Sequence, residues 1–131
     1  MHAHRKSLSS PIKGEGTHFT ALNKKMSQFE KSKHSITVII PVYNEEDSIL
    51  CTLNAVLDEL PRYFEDWEIL FIESGSTDAS LQIIQKEAAK HGNVRYIHQD
   101  HREGMGSALR VGYANSRKEW ICHLEADLPF D

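Results

Sequence analysis

The feature that most restricts this chain is the run Ile36-Thr37-Val38-Ile39-Ile40, closed by Pro41. It is β-branched, of strand length and without polar alternation, so it predicts a strand covered on both faces. Such a strand belongs inside a parallel sheet with helices above and below. The residues that follow fit a crossover helix. Asn44 reads as its cap, Glu45, Glu46 and Asp47 as an acidic first turn at the positive end of the helix dipole, and Ile49, Leu53, Val56, Leu57 and Leu60 as one buried stripe that Pro61 ends.

The plan then repeats. A second strand over about Trp67 to Ile72 leads into Glu73-Ser74-Gly75-Ser76-Thr77-Asp78, where Ser76 or Thr77 can cap a helix carrying Leu81, Ile84 and Ala88, ended by His91-Gly92-Asn93. A third strand, Val94 to His98, precedes the loop Gln99 to Glu103, Gly104-Met105-Gly106, and a helix through Leu109 to Ser116. A fourth strand, about Trp120 to Leu124, delivers Glu125-Ala126-Asp127. Four strands alternating with three helices predict an α/β fold of βαβ units, a Rossmann-like and mostly parallel open sheet.

Charge divides the chain in two. Of its 131 residues, positions 1–34 hold seven of the 15 Lys and Arg but two of the 19 Asp and Glu, which leaves eight basic and seventeen acidic residues in 35–131, a net charge of −9. An acidic body of that kind argues against a nucleic-acid partner. The division of the chain follows: 1–34 reads as a basic leader, disordered or partly helical through Phe19, Leu22, Met26 and Phe29, and 35–131 as the ordered part. Cys51 and Cys122 lack paired spacing and no apolar signal region follows Met1, which favours a reduced, cytoplasmic setting. No run is long and apolar enough to span a membrane.

In open parallel sheets ligands bind past the carboxyl ends of the strands. Glu125 and Asp127 stand there at i and i+2, either as a solvated acidic loop or as a pair converging on a hard divalent cation, which would let an acidic body hold a diphosphate. Gly104 and Gly106 form either a tight turn or a loop bringing backbone N–H groups to a ligand, with Arg102 and Arg110 as phosphate partners. Glu73 and Ser74, with Asp78, either bond a nucleobase or ribose or serve in helix capping, the favoured role for Ser76, Thr77 and Asp78, and Tyr43 either stacks on a base or covers the sheet edge. Cys122 reads as core and Cys51 as lying off the apolar stripe.

In order, Ile39-Ile40-Pro41-Val42-Tyr43-Asn44-Glu45-Glu46, then Glu73 to Asp78, then Gly104 to Gly112, then Glu125-Ala126-Asp127-Leu128 resemble the family-2 glycosyltransferases, and among them the polyprenol- and dolichol-phosphate sugar synthases. The resemblance implies the nucleotide-diphospho-sugar transferase (GT-A) fold, a GDP- or UDP-sugar donor, a lipid-phosphate or glycan acceptor, and peripheral membrane contact where that acceptor is a polyprenyl phosphate. It further implies that Pro41, Tyr43 and Glu45 line the nucleoside site, that Ile72, Glu73 and Ser74 border the base, and that Glu125, Ala126 and Asp127 meet the diphosphate through Mg²⁺ or Mn²⁺. Two positions depart from the usual pattern: Glu73-Ser74 stands where Asp-Asp is usual, and Glu125 where Asp is usual. The acceptor site and the later catalytic residues of the family lie beyond the acidic triplet, so they are expected beyond Asp131 and no catalytic base is named within the chain. Residues 35–131 accordingly read as a donor-binding half. A non-catalytic nucleotide-binding module is the alternative.

Overall fold

The structure is a computed structural model that describes residues 2–3 and 31–127. The segment read as a partly helical leader, residues 4–30, lies outside the described residues, as do Leu128 and Asp131.

Among the described residues five strands form one sheet in the order β1-β5-β2-β3-β4. The two-residue β1 (His2–Ala3) pairs antiparallel with β5 (Trp120–His123), whereas β2 (Ser32–Val42), β3 (Phe64–Ser74), β4 (Val94–Gln99) and β5 pair in parallel. Between them run α1 (Ile49–Tyr63), α2 (Ser80–Lys90) and α3 (Met105–Asn115). The βαβ alternation and its parallel sheet are as the sequence predicts. Strand β2 starts at Ser32, so three residues assigned to the leader join the sheet beside Phe64, with a shift of register before Ser35.

Strand β2 is covered on both faces. Ile36, Val38, Ile40 and Val42 pack into one apolar cluster with Ile49, Leu53, Val56, Leu60 and Ile84, and Ile39 into a second with Leu70, Ile72 and Ala108. Thus α1 and α2 cover one face and α3 the other. Helix α3 comes so near that a Cβ on Gly112 would lie 2.7 Å from Ile39 Cγ2. Cys122 is buried and its thiol pKa is pushed up to about 12 by desolvation, while Cys51 is exposed.

Two local expectations yield to tertiary contacts. Pro61 does not end α1, which continues to Tyr63; so close to the helix end proline forfeits a single backbone bond, and the Phe64 N–H still donates to the Leu60 carbonyl. Asn44 does not cap α1, which begins only at Ile49 with no acidic residue in its first turn. Instead Asn44 takes φ 51°, a left-handed conformation that asparagine tolerates, and its Oδ1 accepts the Thr77 N–H at 2.8 Å.

A buried polar cluster sits near the amino ends of the strands. Thr37 Oγ1 donates to Glu68 Oε2 at 2.7 Å, Arg95 Nε donates to Glu68 Oε1 at 2.7 Å, and the Arg117 N–H donates to Glu68 Oε2 at 2.9 Å. These contacts tie β2, β3, β4 and the turn before β5 together at the end of the sheet away from the candidate site.

Candidate nucleotide-binding cleft

The chain steps outward from β2 to β3 to β4 and then returns to place β5 on the other side of β2. Loops leaving β2 and β5 therefore diverge, which opens a crevice at their carboxyl ends. A cleft of about 250 Å³ lies there, lined by Pro41, Val42, Tyr43 and Glu45 after β2, by Ser74 at the end of β3, by Arg102, Gly104, Met105 and Ala108, and by Glu125, Ala126 and Asp127 after β5.

Cross-bonds between loops set its first wall. Ser76 Oγ accepts the Asn44 N–H at 3.0 Å, Ser80 Oγ the Glu45 N–H at 2.9 Å, and Asp78 Oδ2 the Glu46 N–H at 3.2 Å, while Glu46 Oε2 accepts the Ala79 N–H at 3.1 Å. The Ser/Thr/Asp cluster after β3, read as a cap for its own helix, thus mainly satisfies the backbone after β2. Ser76 and Thr77 do not cap α2, since Ala79 occupies that position; Asp78 Oδ1 accepts the Ser80 N–H at 2.8 Å instead. Burial acts to raise the Asp78 pKa, but the Ser80 hydroxyl and the surrounding backbone N–H groups outweigh it and hold the carboxyl below its ordinary value.

After β5, Glu125 and Asp127 line the same cleft, exposed on either side of the buried Ala126. Their backbone is pinned from two sides: the Leu124 N–H donates to the Ile39 carbonyl at 2.9 Å, and Thr52 Oγ1 donates to the Ala126 carbonyl at 2.6 Å. Thr52, on α1, is fully buried, and its only sequence signal was a polar residue beside the apolar stripe. Thr52→Val keeps its shape and leaves the buried Ala126 carbonyl without this donor. It is expected to lower stability by about 1–3 kcal/mol in chemical denaturation, and to loosen the acidic wall.

Ser74 meets the cleft edge and donates from Oγ to Gln99 Oε1 at 2.8 Å. Glu73 is fully buried and turned inward: Oε1 faces His98 Nδ1 at 2.5 Å and Oε2 accepts the Ser76 N–H at 2.5 Å. The hydrogen bond to Glu73 raises the His98 pKa; burial opposes this, and the negative charges of Glu73 and Asp100 add to the rise. Ile72 is fully buried under α3. Of the residues the sequence singled out, Pro41, Tyr43, Glu45, Ser74, Gly104, Glu125, Ala126 and Asp127 come together around the cleft, and Ile72, Glu73, Gly106 and Arg110 are not among its lining residues. Arg110 is carried outward on α3, one turn past Gly106, where it is exposed. Arg102 takes the basic role at the cleft, its Cζ 4.4 Å from the Tyr43 ring centroid. The catalytic residues expected beyond Asp131 lie outside the described residues, which end at Asp127.

Among the described residues no group of three or more His, Cys, Asp or Glu side chains is arranged to hold a metal ion by itself. The two exposed carboxylates of Glu125 and Asp127 supply hard oxygen donors of the type Mg²⁺ and Mn²⁺ prefer, so the donor set fits such an ion.

Glycosyl transferase family 2, as a family, matches residues 37–131, which span every strand-end motif described above. The chain belongs to that family. It is 32% identical over 108 residues to a dolichyl-phosphate β-glucosyltransferase of Trichomonas vaginalis, with 76% of this chain and 31% of the relative aligned. It is 30% identical over 96 residues to an undecaprenyl-phosphate 4-deoxy-4-formamido-L-arabinose transferase of Pseudomonas fluorescens, with 72% and 28% aligned. Among solved structures, a Pyrobaculum calidifontis mannosyltransferase in complex with GDP-Man and Mn²⁺ superposes with a TM-score of 0.64 at 20% identity, covering 85% of this chain and 34% of that one, a likeness of fold. The chain thus spans about a third of the length of the two curated relatives it matches. No helix among the described residues is long and apolar enough to cross a membrane.

Proposed function

We propose that residues 35–131 form the donor side of a family-2 glycosyltransferase, binding a GDP- or UDP-sugar in the cleft between the β2 and β5 loops and serving transfer to a lipid-phosphate or glycan acceptor. The observation that carries this reading is the meeting, in one cleft at the sheet's switch point, of the Tyr43–Arg102 pair with the carboxylates of Glu125 and Asp127. An aromatic ring suits a base, and paired carboxylates suit a cation-bound diphosphate.

Glu125 and Asp127 would hold Mg²⁺ or Mn²⁺, which when bound neutralises charge on a departing diphosphate. The chain's own residues do the rest of the donor's placement. Tyr43 and Pro41 offer the apolar surface for the nucleoside, Ser74 a hydroxyl at the base edge, and Thr52 fixes the backbone on which the acidic pair stands. With Glu73 engaged by His98 and Ser76, the base edge is left to Ser74 and its partner Gln99. The dolichyl- and undecaprenyl-phosphate relatives favour a polyprenyl-phosphate acceptor, and with it contact with a membrane surface.

Calorimetric titration of UDP and GDP into the protein tests this. Binding of one of them is expected with Mg²⁺ or Mn²⁺ and not with excess chelator; equal affinity in both conditions removes the metal from the donor site.

A further inference from the structure

We propose that Arg102 is a nucleotide gate: its guanidinium rests on the ring of Tyr43, and the diphosphate of an incoming nucleotide draws it off, freeing that ring face for the base. The inference deepens the proposed function and rests on its reading of the cleft as a nucleotide site.

Three observations carry it. Arg102 Cζ sits 4.4 Å from the Tyr43 ring centroid, a cation–π distance, and both residues line the cleft. Arg102 also supplies the basic side chain among the described lining residues, against the carboxylates of Glu45, Glu125 and Asp127. Finally, the backbone beneath it is seated. A Cβ on Gly75, whose φ is +64°, would lie 3.0 Å from the Asp100 carbonyl oxygen and 3.2 Å from the Arg102 nitrogen, and Asp100 pairs with His98 Nε2 at 3.3 Å. The loop is held from below, so the exposed Arg102 side chain can swing without moving it.

The energetic ordering follows from chemistry. The guanidinium of the exposed Arg102 is weakly held on the ring of the half-buried Tyr43, whereas charge-assisted and bidentate bonds to phosphate are about twice as strong as neutral hydrogen bonds. A diphosphate can therefore displace the ring as the partner of Arg102. An uncharged nucleoside has nothing to offer the guanidinium and must compete with it for Tyr43. The gate thus discriminates for phosphorylated ligands, beyond simple charge attraction.

Arg102→Ala separates the two roles. With Mn²⁺ present, the variant is expected to bind the free nucleoside, uridine or guanosine, about two- to fivefold more tightly than wild type, because no cation–π contact has to be broken. It is expected to bind UDP or GDP roughly tenfold more weakly, because the phosphate partner is gone. Ligand-observed NMR and calorimetry read both, and Arg102→Gln, which keeps a planar polar group, guards against local collapse in the alanine variant. Given a wild type that binds a nucleoside diphosphate, any pattern other than opposite shifts for nucleoside and diphosphate overturns the gate. A wild type that binds neither UDP nor GDP overturns the nucleotide reading itself, a distinguishable result.

Discussion

Asp127→Ala is expected to weaken nucleoside-diphosphate binding by about a hundredfold or more in the presence of Mg²⁺ or Mn²⁺, and to leave the metal-free protein's fold and melting temperature nearly unchanged. Altering a mere supporting residue around a metal ligand commonly costs 10–100-fold, so losing a carboxylate that would face the ion directly, as proposed for Asp127, would cost at least that. Stability is spared because the Asp127 side chain is exposed and the contacts that hold the acidic wall among the described residues do not run through it. The backbone carrying it is fixed through the neighbouring Ala126 carbonyl instead. Glu125→Ala is expected to act in the same direction. Calorimetry with UDP and GDP alongside a thermal melt checks both halves; an Asp127→Ala protein that binds with wild-type affinity in the presence of metal would remove the acidic pair from the diphosphate site.

The largest expected effect on stability lies at the other end of the sheet. Glu68→Ala should lower the unfolding free energy by about 3–5 kcal/mol, because it strips a nearly buried ion pair of one partner and leaves the other desolvated. Among the described residues Arg95 would keep only its bond to the Asn115 carbonyl, while the Thr37 hydroxyl and the Arg117 N–H would lose their acceptor. The same site gives a pH dependence. Desolvation pushes the Glu68 pKa up, but bonds from Arg95, Thr37 and the Arg117 backbone outweigh it and hold the carboxyl below its ordinary value in the folded state. A group with a depressed folded pKa stabilises above its unfolded pKa and loses that contribution as pH falls through the folded one. Acid unfolding of Glu68→Gln should consequently be less steep than that of wild type below the ordinary glutamate range. Parallel acid titrations by circular dichroism read it; superimposable slopes would show that Glu68 does not drive the transition.

Much of this was written locally. Ile36 to Ile40 announced a strand covered on both faces, and both clusters that bury it are present. The strand-end residues Tyr43, Ser74 and Glu125 to Asp127 were legible because the parallel plan places strand ends at one rim of the sheet. What local signals misjudged were groups with two available partners. Asn44 and Ser76 have the composition of caps, and each bonds the other's loop because β2 and β3 end side by side. Glu73 looked free for a base and is held by His98, a residue 25 positions away that the register of β4 brings opposite it. Glu68 carried no signal at all, since its partners come from three separate stretches of chain.

The sequence by itself determined the order of elements, the two-sided burial of β2 and the identity of the acids that follow β5, because these depend on side-chain periodicity and on residues within a few positions of one another. Only the tertiary structure decided which basic residue faces the cleft, that Thr52 steadies the acidic wall, and that Glu73 is turned away from it. Those outcomes depend on contacts between distant segments, where a hydrogen-bonding group takes whichever partner the folded chain brings within reach and burial penalises every group left without one.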